Sequence, residues 1–503
     1  MSYNSSFLFL STVILISLYI NPVFSQPFLD NAKILFDCTN TGGLIKPFSE
    51  INCGPLPVYY NHKPSVDITQ QYQDIGINFI RTHDFFGPTD IHTIFPDWNA
   101  DPFDENSYNF TSSDEVIASI INAGCKVFYR LGESASQDEN LRNPPKNFSK
   151  WAEICKHIVM HYNDGWANGY HYNITYWEIW NEPDLNGFWN GTAEEYYHLY
   201  QITAEALKTY NPSLKIGGPC TSSITNVNYT IGFLVYILEN KIPIDFFSWH
   251  CYATTPQELY INSLAVRSML DSFGLYNCEN ILTEWNINLL TPQRDKENAY
   301  NAAFTASSII LFQDASLDYA FRYRGTQDNS WLLKFIGFDI SLFTADGKYK
   351  TPALTYKIMH YITRDTPIRL LSNSNSSNLQ YLSGISQDKT NISILLSNFD
   401  SPDTIYSLNI SNIPWNDSYK AVYYLIDDNH HLEITEENTY HSKEFHITKS
   451  IKHGTVQFIR LTNSSVYPEE GPPVASLPFI FRSPLFDPIA AILRILVILF
   501  LLS

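Results

Sequence analysis

Between residues 34 and 360 the chain alternates short, continuously apolar runs with longer stretches whose apolar residues recur at intervals of three and four. The runs INFIRTH (77–83), KVFYRLGE (126–133), YWEIWNEP (176–183), LKIGGP (214–219), DFFSWHCY (245–252), NILTEWN (280–286) and YAFRYRG (319–325) read as buried parallel strands. Between them, segments such as DEVIASIINAG (114–124) and EEYYHLYQITAEALKTY (194–210) have helical spacing. With an earlier strand near KPFSEINCG (46–54) the repeat makes eight units, which predicts an α/β fold of the (β/α)8 TIM barrel type rather than a doubly wound sheet. Beyond residue 365 the texture changes. NLQYLSGIS (378–386), NISILLSNF (391–399), IYSLNIS (405–411), YKAVYYLID (419–427) and TVQFIRLT (455–462) follow one another without long helices, separated by Asn, Ser, Asp and Pro turns. The expected organisation is a catalytic barrel over 26–365 followed by an all-β sandwich domain over 366–466.

The two ends have a different pattern. An apolar run from Phe7 to Ile20, followed by the small residues Val23 and Ser25, reads as a secretory signal peptide over 1–25. From 467 to 503 a Pro-rich linker leads into an apolar C-terminal tail, IAAILRILVILFLLS (489–503). That tail is shorter than the ~20 residues of a membrane helix and fits a removable glycolipid-anchor signal, with a retained membrane segment as the alternative. The chain is therefore expected in the secretory pathway, ending extracellular, lysosomal or at the cell surface. N-x-[ST] sequons at Asn109, Asn147, Asn173, Asn190, Asn228, Asn375, Asn391, Asn409, Asn416 and Asn463 accord with a secreted glycoprotein.

Composition narrows the partners. A formal charge of −19 from 51 acids and 32 bases repels phosphate backbones, so nucleic acid is not an expected partner. Aromatic residues at 15% promise pockets rich in rings. No H-E-x-x-H, paired C-x-x-C or P-loop occurs in the sequence, so neither metal nor cofactor is expected. The seven cysteines are an odd number; Cys38–Cys53 is the expected disulfide, and Cys125, Cys220 and Cys251, within or at the ends of apolar strands, are expected as buried thiols.

Barrel active sites form at the C-terminal ends of the strands, so side chains remote in sequence converge there. Glu182 follows YWEIWN on the fourth predicted barrel strand and Glu284 follows NILT on the seventh. For one isolated glutamate at a strand end, the plainer reading is a loop carboxylate that caps the next helix. Here Asn181 and Pro183 flank one acid, and Trp285-Asn286 follow the other. Two acids across a pocket meet the needs of glycoside cleavage, one protonating the leaving oxygen and the other attacking the anomeric carbon. Burial among Trp177 and Trp180 is expected to raise the acid's pKa, while Arg81 keeps the nucleophile ionised. Glu182 is thus read as acid/base and Glu284 as nucleophile. Glu178 is set aside as a buried structural partner of an arginine.

WEIWNEPD (177–184) resembles glycoside hydrolase family 39, within the clan of retaining barrels whose acid/base lies in an Asn-Glu-Pro on strand four. The resemblance continues through INCGPLP (51–57), FIRTHDF (79–85), YNFTSSDEVI (108–117), LKIGGP (214–219), LTEWN (282–286) and QDNSWLL (327–333). It implies a glycoside or oligosaccharide substrate, with Asn181 on the sugar 2-hydroxyl, His83 and His250 lining the subsite, and Asp328 meeting the ring hydroxyls. His83 and His250 also fit core histidines, and Tyr252 and Trp249 fit packing as well as a stacking platform. The family contains β-xylosidases and α-L-iduronidases. Cys251-Tyr252-Ala253 follow His250 where the iduronidases bring basic residues, and KFIGFDISLFTADG (334–347) supplies no arginine. This disfavours an acidic sugar, with Arg324 the residue able to compensate. The expectation is a retaining exo-glycosidase of the β-xylosidase type; the alternatives are an α-L-iduronidase-like glycosidase and a catalytically silent carbohydrate-binding barrel.

Overall fold

Strict alternation opens the folded chain. Ala32, Ile34, Phe36 and Cys38 are buried on one face of strand β1 (Asn31–Leu44), a period of two that needs a sheet surface to cover it. In a computed structural model, which describes residues 31–464 apart from 58, 61–62, 84–86, 135–138, 327–338, 375–378, 400 and 416–417, that surface belongs to the second domain. The predicted signal peptide, the C-terminal tail and Asp328 lie outside the described residues.

Eight parallel strands close the barrel. They begin with β2 (Glu50–Asn52); after a hairpin of β3 (Tyr59–Tyr60) and β4 (Lys63–Pro64) come β5 (Phe79–Arg81), β6 (Lys126–Leu131), β7 (Tyr176–Ile179), β8 (Lys215–Thr221), β9 (Phe246–Ala253), β10 (Glu279–Ile287) and β11 (Tyr319–Arg322). Neighbours in sequence are neighbours around the barrel, and β11 pairs with β2, as short right-handed crossovers dictate. Phe79, Phe128, Phe246, Ile281 and Phe321, with Tyr176 and Tyr319 against them, fill the barrel end remote from its mouth. Gly217 makes room there, since a Cβ on it would stand 2.2 Å from the Phe246 carbonyl oxygen. Outward residues of the strands, such as Val127, Tyr129, Trp177 and Trp249, join the helix-facing core.

The second domain is one nine-stranded sheet. Its strands are β12 (Ile368–Ser374), β13 (Gln380–Ile385), β14 (Asn391–Asn398), β15 (Thr404–Ser411), β16 (Tyr419–Ile426), β17 (His431–Tyr440), β18 (Phe445–Ile451) and β19 (Thr455–Asn463), in the spatial order β17-β16-β19-β14-β13-β12-β1-β15-β18. The sheet folds over on itself. Edge strand β18 returns to β17 through Tyr440–Phe445 ring contact at 5.1 Å, and Gln457 Nε2 of β19 donates to the Ser450 carbonyl at 2.9 Å.

Two expectations are corrected here. Residues 31–44, assigned from the sequence to the start of the barrel, form β1 between β12 and β15 of the sheet, with Phe36 opposite Ser372 and Ile410. Among the described residues, which include all seven cysteines, no disulfide forms, and Cys38–Cys53 is not one. Cys38 lies in the core of the second domain, whereas Cys53 follows β2 in the barrel and its thiol donates to the His83 carbonyl at 2.8 Å.

The domains share an apolar seam. Phe399, Val456 and Phe458 join the barrel's core. Phe399 packs on Tyr300 and Phe304, and the Ser397 hydroxyl donates to the Ala303 carbonyl at 2.9 Å. Among the described residues no helix is long and apolar enough to cross a membrane.

Candidate active site

Strand parity decides which side chains reach the mouth. Two residues above the aromatic plug, Arg81 on β5 continues the inward row from Phe79, and Glu178 on β7 that from Tyr176. Arg81, with no exposed surface, ties four strands together. Its Nε donates to Glu178 Oε2 at 2.7 Å, Nη1 to Asn52 Oδ1 and to Glu284 Oε1, both at 2.9 Å, and Nη2 to Asn181 Oδ1 at 2.7 Å. Burial opposes its charge, and the carboxylates of Glu178 and Glu284 offset that and hold it in place. Glu178 is therefore the arginine partner expected from the sequence, and the same arginine reaches Glu284.

Glu284 comes to the mouth at a register irregularity in β10, between Leu282 and Trp285, where a bulge re-aims a side chain. Both of its oxygens are engaged: Arg81 at Oε1, and the Tyr252 hydroxyl donating to Oε2 at 2.6 Å. Burial raises its pKa above the usual carboxylate value, while His250, Arg81 and the Tyr252 hydrogen bond oppose that rise.

Glu182 stands just past β7 with φ at 44°, and Trp180 before it has φ at 75°. These left-handed residues, uncommon outside glycine, turn the chain sharply over the barrel. The Glu182 amide donates to the Cys220 carbonyl at 2.9 Å, and His250 Nδ1 lies 2.7 Å from Glu182 Oε1. Burial, with Asp184 adding and Arg81 opposing, raises the Glu182 pKa to about 8. The tryptophans named from the sequence are not the neighbours that do this. Trp177 stacks on Tyr129 and Trp180 packs on Trp151 and Trp189, all on the helix-facing side.

One oxygen of Glu182, one nitrogen of His250 and one oxygen of Glu284 lie within 4.8 Å of one another. Asp90, His92 and Glu133 are similarly close. In both groups the potential ligand atoms already serve the protein. Asp90 accepts from Arg130 and Ser134, His92 pairs with Glu133, and Glu182 and Glu284 are held as above.

The remaining expected residues divide. His83 comes to the pocket with Nε2 3.8 Å from Glu284 Oε1 and a buried Nδ1 that has no hydrogen-bond partner; burial and nearby arginines hold its pKa well below the usual value. Asn181 Nδ2 is likewise buried without a partner. Trp249 turns away and donates to Asn280 Oδ1 at 2.8 Å, so it is packing and not a sugar platform. Arg324 is buried at the mouth, donating through Nε to the Thr326 carbonyl at 2.6 Å and through Nη1 to the Tyr323 hydroxyl at 3.3 Å. Sequence reasoning missed Asn52, Cys220 as a member of this cluster, and Tyr323, whose ring centre is 6.4 Å from both His83 and Tyr252. Their signal was parity: Asn52 ends β2 as Arg81 ends β5.

Comparison with known proteins supplies the kinship. Residues 33–328 match the family described as Glycosyl hydrolases family 39. A β-xylosidase of Geobacillus stearothermophilus is 26% identical over 265 residues, 46% of this chain and 51% of that protein. A β-xylosidase of Caldicellulosiruptor saccharolyticus is 27% identical over 271 residues, 48% of this chain and 53% of that one. The chain thus spans about half the length of the curated relatives it matches. A solved glucosidase from Croceicoccus marinus superposes with a TM-score of 0.75 at 24% identity, covering 86% of this chain and 99% of that one, which shows the shared fold of barrel and β domain. With more than half its length inside the family match, the chain belongs to glycosyl hydrolases family 39.

Proposed function

We propose that this protein is a retaining exo-glycosidase acting on a neutral sugar, most specifically a β-xyloside. The observation that supports the mechanism best is the approach of Glu182 and Glu284 with oxygens within 4.8 Å. Such an approach of one oxygen from each accords with retaining enzymes, whose carboxyl groups stand about 5–5.5 Å apart. Glu284, its two oxygens aligned by Arg81 and Tyr252, attacks the anomeric carbon and forms a glycosyl ester. Glu182, kept protonated near neutrality by burial, gives its proton to the leaving oxygen and afterwards takes one from the attacking water. The unpartnered Asn181 Nδ2 and His83 Nδ1 are donors for sugar hydroxyls.

The β-xylosidase relatives and the engagement of Arg324 within its own segment favour a neutral sugar. A uronate, the rival substrate, would draw on Arg324. Aryl glycosides that differ only at C5, carrying hydrogen, hydroxymethyl or carboxylate, separate the readings: highest activity on the carboxylate would overturn ours. Glu284→Gln should abolish turnover, and undiminished activity would remove Glu284 as nucleophile. Product of inverted configuration by NMR would reject retention. We also assign the enzyme to the secretory pathway, a reading supported by the apolar leader and by sequon residues Asn109, Asn147, Asn173, Asn190 and Asn228, all exposed on the barrel; mass spectrometry of the native protein tests it through glycans at these positions.

A further inference from the structure

Cys220 is fully buried beneath the two acids, and nothing in the double displacement requires a thiol there. Its surroundings are specific. Arg81 Nη2 lies 3.1 Å from Sγ, and His250 Nε2 lies 3.0 Å from it on another side. Asn181 Oδ1 and Thr283 Oγ1 are farther, at 3.6 and 3.8 Å, and Asn181 Oδ1 already accepts from Arg81.

The two shortest contacts of Sγ favour one order of donors. A guanidinium can only donate, so Sγ accepts from Arg81. The thiol hydrogen then goes to its nearest acceptor, His250 Nε2. A neutral imidazole carries a single N–H, so receiving a hydrogen at Nε2 places its own on Nδ1. Nδ1 faces carboxylates on two sides, Glu182 Oε1 at 2.7 Å and Glu284 Oε2 at 3.7 Å. The chain of donors is therefore Arg81 to Cys220, Cys220 to His250, and His250 to Glu182.

We infer that Cys220 is a positioning residue that fixes the Nδ1–H tautomer of His250 and thereby keeps the transferable proton of Glu182 on Oε2, the oxygen left for substrate. With the opposite tautomer, Nδ1 would accept from Glu182 and hold the proton away from the leaving oxygen. In the assigned order His250 donates to Oε1 whether Glu182 is protonated or ionised, so the imidazole needs no rearrangement as the acid becomes the base. The proton lost to the leaving group comes from Glu182 alone and is restored by the attacking water.

This inference rests on the acid/base reading of Glu182, and the experiment separates the two. Cys220→Ala, Cys220→Ser and Glu182→Ala are compared on an aryl glycoside with a good leaving group and on an unactivated disaccharide. Cys220→Ala should lose about 10-fold in kcat on the disaccharide, the worth of one positioning hydrogen bond, and little on the aryl substrate. Cys220→Ser, which keeps an O–H donor, should recover most of the loss. The basic limb of the kcat/KM profile should move to higher pH in Cys220→Ala, since Glu182 loses a donor to its ionised form. The other charged groups around this chain, Arg81, Glu178, Asp184 and Glu284, are common to all variants. Equal losses on both substrates, or an alanine variant with the wild-type split and profile, would overturn the inference. If Glu182→Ala itself shows no leaving-group dependence, the reading of Glu182 fails first. Should the cysteine variants not fold, 15N NMR of wild-type His250 decides: an Nδ1–H tautomer supports the assignment and an Nε2–H tautomer rejects it.

Discussion

Glu182 and Glu284 are both buried, yet their neighbours differ, and on the proposed mechanism that difference should set the working pH. Glu182 meets burial and Asp184 with only Arg81 in opposition, while Glu284 has His250, Arg81 and the Tyr252 hydroxyl against its burial. A protonated Glu182 therefore coexists with an ionised Glu284, and kcat/KM should be bell-shaped. The acid limb should lie above the ordinary carboxylate value of 4.5, and the basic limb near 8. Tyr252→Phe removes a donor to ionised Glu284 and should move the acid limb upward; an unmoved limb would show that the hydrogen bond does not tune Glu284. The same burial has a cost in stability. Below pH 4.5 Glu182 is protonated in both folded and unfolded states. Between there and about 8 the unfolded chain releases a proton that the folded one keeps, so stability falls as pH rises. Glu182→Gln should then stabilise the fold at pH 7 by on the order of 3 kcal/mol and give little gain at pH 4, as read from denaturant unfolding at the two values.

At the scale of elements, the barrel strands act as rows that deliver one residue each to a shared level. Arg81, on β5, joins four others, through Asn52 on β2, Glu178 on β7, Glu284 on β10 and Cys220 on β8. Replacing it by Met leaves Glu178 buried without its cation, a loss of about 3–5 kcal/mol. The double variant Arg81→Met with Glu178→Met should regain part of that stability, because Glu178 is no longer a buried charge without its cation, although Glu284 still is. It should regain no activity, since Glu284 still lacks its partner. Recovery of both would make Arg81 merely structural. Chemical denaturation and turnover on an aryl glycoside check the two halves.

For the whole molecule, β1 makes the second domain an obligate companion of the barrel. The chain begins its described part in the sheet, crosses to the barrel for residues 50–322, and returns to the sheet at Ile368. Leucine, isoleucine and phenylalanine residues from β1, β12, β15 and β18 share one core. Deleting residues 31–44 should therefore split the sheet between β12 and β15 and expose that core, even though every barrel strand is intact. The expected outcome is loss of soluble protein, measured as soluble yield and as a lowered thermal transition in whatever remains. A variant that folds and unfolds like the full chain would show β1 to be dispensable.

Local chemistry was legible in the sequence. Apolar runs and helical spacing determined eight strands and the helices between them, because burial on two faces leaves a continuous apolar signature in a short stretch. Asn181-Glu182-Pro183 and Glu284-Trp285-Asn286 marked the two acids, and Glu178 was recognised as an arginine's partner. Convergence was not legible. That Arg81 reaches both Glu178 and Glu284, that Trp177 and Trp180 face the helices and not the acid, and that Cys220 touches His250 all depend on strand register and barrel closure. The placement of β1 with β12 and β15 depends on pairing across more than 300 residues, and its period of two is equally suited to any half-buried sheet. A strand's sequence records which of its faces is apolar, but only the closed tertiary structure decides what that face meets.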